Sequence, residues 1–94
     1  MEKASVDCFV AECFWPDVDE NAVRDADARI AECVRTVGGG VRYCGSILLR
    51  EDEVVLCQFE GTASGVRKVV ECAEIPFERI LATTTYPARG GSNP

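Results

Sequence analysis

The spacing of apolar residues along this chain switches between the periods of strands and helices, and the switches predict six elements. Residues 6–14 form an apolar stretch rich in β-branched and aromatic side chains, followed by Trp15-Pro16. Because proline cannot extend a central ladder, a strand over residues 6–14 is predicted to end there. Only Asp7 and Glu12 are polar, so we expect this strand to be covered on both faces and central in its sheet.

An amphipathic helix is predicted to follow. The carboxylates of Asp17, Asp19 and Glu20 suit the first turn of a helix, where free backbone N–H groups need acceptors. The glycines at residues 38–40 are expected to end the helix, with a glycine in the left-handed conformation. The apolar stripe recurs at helical spacing and consists of Val23, Ala26, Ile30, Cys33, Val34 and Val37.

Residues 41–49 and 54–59 are predicted to form a hairpin with an acidic tip. If Glu51-Asp52 is a two-residue loop, Leu49 faces Val54 and side-chain alternation sorts the hairpin into two faces. One face then holds Cys44, Ser46, Leu48, Val55, Cys57 and Phe59, and the other holds Tyr43, Gly45, Ile47, Val54, Leu56 and Gln58.

A second helix and a last strand complete the pattern. Thr62 or Ser64 caps the helix, which ends before Ile75-Pro76 because a residue preceding proline is pushed out of the helical region. The buried stripe of this helix is Val66, Val69, Val70 and Ala73. Residues 80–86 are predicted to form the last strand. A single domain over residues 1–87 is expected, with a flexible C-terminal tail at residues 88–94.

The order β-α-β-β-α-β predicts a ferredoxin-like α+β fold. In this fold the first and third strands lie in the middle of a four-stranded antiparallel sheet, and both helices cover one face. Both faces of the hairpin carry apolar groups, so the helix-free face is also expected to be apolar, which is unfavourable in water. We therefore expect a homodimer, a dimeric α+β barrel in which two sheets close face to face around a cavity.

Charge and composition exclude several classes of function. The net charge is −6 and no basic stripe exists, so nucleic acid is not an expected partner. No apolar run approaches the roughly 20 residues that span a bilayer, so no membrane is expected either. The first residues lack an apolar signal core, which predicts a cytoplasmic location. Histidine is absent, which removes the commonest general base and metal ligand.

The six cysteines, at positions 8, 13, 33, 44, 57 and 72, contain no Cys-x-x-Cys pair. Each falls within a predicted strand or helix, as packing residues do. In a reducing compartment we expect free thiols that behave as small apolar residues. Thiolate chemistry or the binding of a soft metal is the alternative.

Several segments between residues 6 and 86 carry a family resemblance. They are Gly40-Val41-Arg42-Tyr43 with Ser46, the hairpin running to residues 57–61, Val66-Arg67-Lys68, and the segment 75–80. With them the chain resembles a small actinobacterial family of dimeric ferredoxin-like domains of unknown function, of which one member binds nickel. The resemblance implies the fold and the homodimer.

The chain departs from that family at two positions. Family members commonly have Trp-x-His-Ser-Tyr in the second strand, where this chain has Tyr43-Cys44-Gly45-Ser46-Ile47. They also tend to have a glutamate where this chain has Ala11. The missing imidazole and carboxylate are groups that could hold a borderline metal, so no metal site and no cofactor is expected here.

The candidate binding site is a mostly apolar cavity on the helix-free face. Tyr43 and Gln58 are the polar groups that would orient an apolar small molecule, and the surrounding side chains are apolar. Alternatively, this surface is only a dimer interface in which Tyr43 buries its ring. The predicted ligand-binding residues are Phe9, Cys13, Tyr43, Ile47, Leu56 and Gln58, with Ala11 beside them.

Two further functions stay open. The first is a cofactor-independent enzyme, of cyclase, isomerase or dehydratase type, in which Glu12 or Tyr43 transfers the proton. A simpler interpretation of Glu12 is a carboxylate in water, or one paired with an arginine such as Arg42. The second is a nickel-binding protein, which only the family resemblance implies.

Overall fold

A computed structural model describes residues 7–86 and contains the predicted order of elements. The strands are β1 (Cys8–Phe14), β2 (Arg42–Leu49), β3 (Val54–Glu60) and β4 (Phe77–Thr83), and the helices are α1 (Glu20–Val37) and α2 (Ala63–Ala73). The sheet order is β2-β3-β1-β4, with every neighbouring pair antiparallel. The ferredoxin-like α+β fold is therefore confirmed, with β1 and β3 in the middle. The predicted tail at residues 88–94 lies outside the described residues.

Helix α1 begins where the acidic residues predict. The Asp19 carboxylate accepts a hydrogen bond from the backbone N–H of Ala22 at 2.8 Å, which satisfies a donor that the helix itself cannot. The expected left-handed cap is wrong in detail, since Gly38 has a φ of −96° and the left-handed glycine is Gly40. Gly38 is required for space instead, because a Cβ there would lie 2.8 Å from Cγ2 of Val69 in α2.

The hydrophobic core lies between the sheet and the two helices. The buried residues of α1 are Ala26, Ile30 and Cys33, so the predicted stripe is buried in its middle. Val37, the last residue of α1, is exposed and lies outside this core. The four predicted apolar residues of α2 are all buried: Val66, Val69, Val70 and Ala73.

A disulfide between Cys33 and Cys72 joins α1 to α2, with Cα atoms 5.9 Å apart. The expectation that every cysteine is a free packing thiol is therefore wrong for this pair. Linear spacing places each cysteine on its own helix, but only the packing of the helices brings the two together. Cys13 and Cys57 are buried free thiols, as expected, whereas Cys44 is exposed.

Strand β4 begins at Phe77, three residues before the predicted start at residue 80. The adjacent charges of Glu78 and Arg79 interrupt the apolar pattern, which is why the sequence placed the start too late. An edge strand tolerates such charges because part of it faces water. Arg79 pairs with Glu12 of β1, so the charged segment belongs to the sheet.

Candidate functional site

The β2–β3 hairpin has the predicted register at its tip but not at its base. Leu49 pairs with Val54 and Ser46 pairs with Cys57, as the two-residue loop requires. Farther along, a β-bulge inserts Cys44 between Tyr43 and Gly45, and Gly45 adopts a φ of +115°. A bulge of one residue exchanges the faces of all positions beyond it.

Tyr43 consequently lies beneath the helices and not on the helix-free face, so its predicted placement is wrong. It pairs with Phe59, and the two ring centroids are 5.2 Å apart. The Tyr43 hydroxyl is buried near Asp27 and Ser46 and has no hydrogen-bond partner in satisfactory geometry among the described residues. Burial raises the pKa of Tyr43, and the Asp27 carboxylate adds to that rise.

The predicted cavity residues of β1 also lie on the helix-covered face. Ala11 and Cys13 are fully buried in the core, and Phe9 packs against it. A hydrogen bond with Cys57 lowers the pKa of the Cys13 thiol, an effect that burial opposes. The same hydrogen bond, together with burial, raises the pKa of Cys57. Because β1 is apolar on both faces, its sequence does not reveal which set faces the helices.

The helix-free face carries exposed apolar side chains towards the tip of the hairpin. Phe14, Ile47 and Leu49 remain 54%, 44% and 39% exposed. Such a concentration of exposed apolar groups is typical of interaction surfaces. We use the name open face for the side chains that the strand pairing places there: Cys8, Val10, Glu12, Phe14, Arg42, Cys44, Ile47, Leu49, Val54, Leu56, Gln58, Glu60, Arg79, Leu81 and Thr83.

Two ion pairs border the open face. Arg79 donates to the Glu12 carboxylate at 2.6 Å, and Arg42 donates to Glu60 at 3.0 Å. Glu12 thus pairs with an arginine, although with Arg79 and not with Arg42. Each ion pair sums to zero, so the open face carries no net charge although the chain carries −6.

A groove of about 320 Å³ crosses the open face. Three predicted ligand residues, Ile47, Leu56 and Gln58, come together in it, and Phe9 contributes at its margin. Burial, followed by the Glu60 carboxylate, raises the pKa of the Cys44 thiol, which therefore presents a neutral group to the groove. Cys44 and Val10 also line the groove, although they were not among the predicted ligand residues. The glycine within strand β2 was the available signal for a bulge.

Glu12 and Tyr43, the proton-transfer candidates, lie on opposite faces of the sheet and do not form one site. Within residues 7–86, no three side chains of the types His, Cys, Asp and Glu gather in a way that could hold a metal ion. No helix of the described part of the chain has the length and apolarity to cross a membrane. The enzyme and nickel-binding alternatives stay predictions.

Comparison with known proteins supports the architecture. No protein-family model matches the chain, and no curated protein matches it. Among solved structures, the crystal structure of SCO4226 from Streptomyces coelicolor A3(2) superimposes with a TM-score of 0.72 at 14% sequence identity. The match covers 85% of this chain and 99% of that chain. At this level of identity the similarity shows that the two proteins share a fold.

Proposed function

We propose that this protein is a homodimer that binds an apolar small molecule in a pocket between two open faces. The observation that carries the proposal is the open face itself, with its exposed apolar side chains and balanced charges. The helices shield only the opposite side of the sheet, so burial of these side chains requires a second molecule.

A second copy of the chain suits this surface. In a dimer with two-fold symmetry the same surface meets itself, so it must be complementary to itself. Two chains of charge −6 repel each other at long range. Within the open face, however, Glu12 and Glu60 are neutralised by Arg79 and Arg42, so the surfaces that would meet do not add to that repulsion.

The groove supplies the proposed pocket. Its volume of about 320 Å³ lies at the low end of small-molecule sites, and a facing groove from a second copy would enlarge and close it. Val10, Ile47 and Leu56 provide an apolar lining from three strands. The Gln58 carboxamide can both donate and accept, which suits it to orient a ligand with one polar group.

The dimer is tested by placing a charge on the open face. Ile47→Asp should leave the protein monomeric, because dimerisation would bury an unpaired carboxylate. Val37→Asp is the matched control, since Val37 on α1 is 43% exposed and Ile47 is 44% exposed. Native mass spectrometry at micromolar concentration should give a dimer for the wild type and for Val37→Asp. A monomeric wild type contradicts the proposal.

Ligand binding is tested separately with Nile red, a neutral apolar dye. Wild-type protein should bind the dye in a saturable way, and Val10→Trp should reduce binding because the indole fills the groove. Val37→Trp, which adds the same ring elsewhere, should bind like the wild type. Equal binding by both variants would place the dye outside the groove and overturn this part of the proposal.

A further inference from the structure

The disulfide between α1 and α2 exposes its two ends to water very unequally. Cys72 of α2 is exposed, whereas Cys33 of α1 is buried, with 6% of its surface accessible. Exchange between a thiol and a disulfide begins when a thiolate attacks one of the two sulfur atoms, so access decides which sulfur is attacked. The accessible sulfur is that of Cys72. The disulfide lies in the helix layer and not on the open face, so its chemistry is independent of the function proposed above.

A positive charge lies beside the disulfide. Arg29 precedes Cys33 by one turn of α1, and its Nε donates to the backbone carbonyl of Ala73 at 2.9 Å. Because Ala73 directly follows Cys72, this hydrogen bond holds the guanidinium between the two helices next to the crosslink. Lys68 adds a second cation one turn before Cys72. Positive charge favours the thiolate, which is the form of sulfur that attacks and leaves during exchange.

The carboxylates next to the two cysteines already have arginine partners. Glu32 pairs with Arg35, and Glu71 pairs with Arg67. The ion pairs of the described residues include neither Arg29 nor Lys68. The charge that remains beside the disulfide is therefore positive.

Core packing joins α1 to α2 in addition to the disulfide. Ile30 of α1 and Val69 and Val70 of α2 are fully buried in one cluster. Opening the disulfide leaves these contacts in place, so the chain is expected to keep its fold when the crosslink is broken.

We propose that Cys72 is a site of reversible S-thiolation by low-molecular-weight thiols. The thiolate of the small molecule attacks Sγ of Cys72, and an S–S bond forms there as the bond to Cys33 breaks. The electron pair of the broken bond stays on Cys33, which takes up the proton that the small thiol lost. In the return step Cys33 attacks the mixed disulfide at Cys72, restores the crosslink and releases the small thiol. The cycle consumes no other oxidant or reductant.

The test treats the folded, oxidised full-length protein with reduced glutathione. Early samples are stopped with acid, their free thiols are capped with N-ethylmaleimide in urea, and their tryptic peptides are analysed by mass spectrometry. Trypsin separates the two cysteines, because residues 30–35 contain Cys33 and residues 69–79 contain Cys72. Glutathione on residues 69–79 should exceed that on residues 30–35 by at least about tenfold, while circular dichroism keeps the spectrum of the fold. Equal attachment to both peptides overturns the proposal, as does attachment that requires urea.

Two single variants repeat the comparison without the crosslink. In Cys33→Ser, the Cys72 thiol should attack glutathione disulfide, bind one glutathione and release the other. In Cys72→Ser, the buried Cys33 thiol should react at least about tenfold more slowly. Both variants lose the same disulfide, so loss of the crosslink does not account for a difference between them. Equal rates, or a faster reaction at Cys33, contradict the proposal.

Discussion

The two faces of the sheet carry similar apolar side chains but differ in what covers them. On the helix-covered face, Phe59 is 1% exposed, whereas Phe14 on the open face is 54% exposed. Both residues belong to central strands, so an edge position in the sheet does not explain the difference. The helices complete the burial of one face within the chain, and they leave the other face accessible. Stability is therefore expected to reside on the covered face and binding on the open face.

The charged groups of the open face are paired within the chain. On the open face, each carboxylate has an arginine on a neighbouring strand, as Glu12 has Arg79 and Glu60 has Arg42. This balanced face suits association with an identical face.

The largest difference in stability is expected between two variants that each lose an aromatic ring, one on the covered face and one on the open face. Phe59→Ala should lower the free energy of unfolding by about 3–5 kcal/mol, because it leaves a cavity in the closed core. Phe14→Ala should cost less than about 1 kcal/mol at low protein concentration, where association contributes least. Urea unfolding followed by circular dichroism measures both. Equal losses would contradict the division between the faces.

The second-largest loss of stability is expected when the disulfide between the two helices is removed. Cys33 and Cys72 are separated by 39 residues, and a crosslink over such a loop stabilises a fold by about 2–4 kcal/mol. The Cys33→Ser/Cys72→Ser double variant should lose this amount in urea unfolding, and reductant should destabilise the wild type but not the double variant. Cys44→Ser is the control, since it replaces an exposed thiol outside the disulfide. Unchanged stability of the double variant contradicts a stabilising crosslink.

The same crosslink bears on the cellular location. A cytoplasmic location stays a prediction, and disulfides are rare in that reducing environment. If the protein is cytoplasmic, native preparations should contain the reduced form, which mass spectrometry distinguishes by the two additional hydrogens.

Two glycine substitutions test the bulge that determines which side chains of β2 lie on each face of the sheet. Gly45→Ala should destabilise by about 1–2 kcal/mol, because an L-residue at a φ of +115° is strained although its Cβ meets open space. Gly39→Ala also places a Cβ in open space but without a positive φ, and it should change stability by less than about 0.5 kcal/mol. Thermal unfolding measures the stability of both variants. Equal losses of stability would mean that alanine at residue 45 does not strain the bulge.

The smallest effect on stability is expected from a change of pH. Its measurement tests whether Tyr43 is buried on the covered face. Burial raises the pKa of Tyr43 above its ordinary value of 10.0, so the folded protein keeps a proton that the unfolded chain releases. The resulting contribution to stability is complete below pH 10.0 and is lost as the pH rises towards the folded pKa. Tyr43→Phe should lose less stability above this pH than the wild type does. Parallel pH profiles would instead indicate an exposed Tyr43.

Local features were readable from the sequence. Asp19 and Thr62 cap the helices because their short side chains accept hydrogen bonds from free backbone N–H groups nearby. The stripe of α2 follows from helical spacing, and the loop length set the pairing of Leu49 with Val54. Alternation within the hairpin holds between Ser46 and Leu49 and fails at Cys44, where the extra residue changes the faces. That single residue moved Tyr43 away from the predicted site.

The sequence by itself determined the order of the elements, the fold and the existence of a second apolar face, because these depend on periodicity and on contacts between near neighbours. Tertiary structure alone decided which residues occupy that face, which arginine neutralises Glu12, and that Cys33 meets Cys72. Strands that are apolar on both sides fit a sheet in either orientation, so the choice falls to packing against the helices. Such contacts join residues far apart in the chain, and no local spacing encodes them.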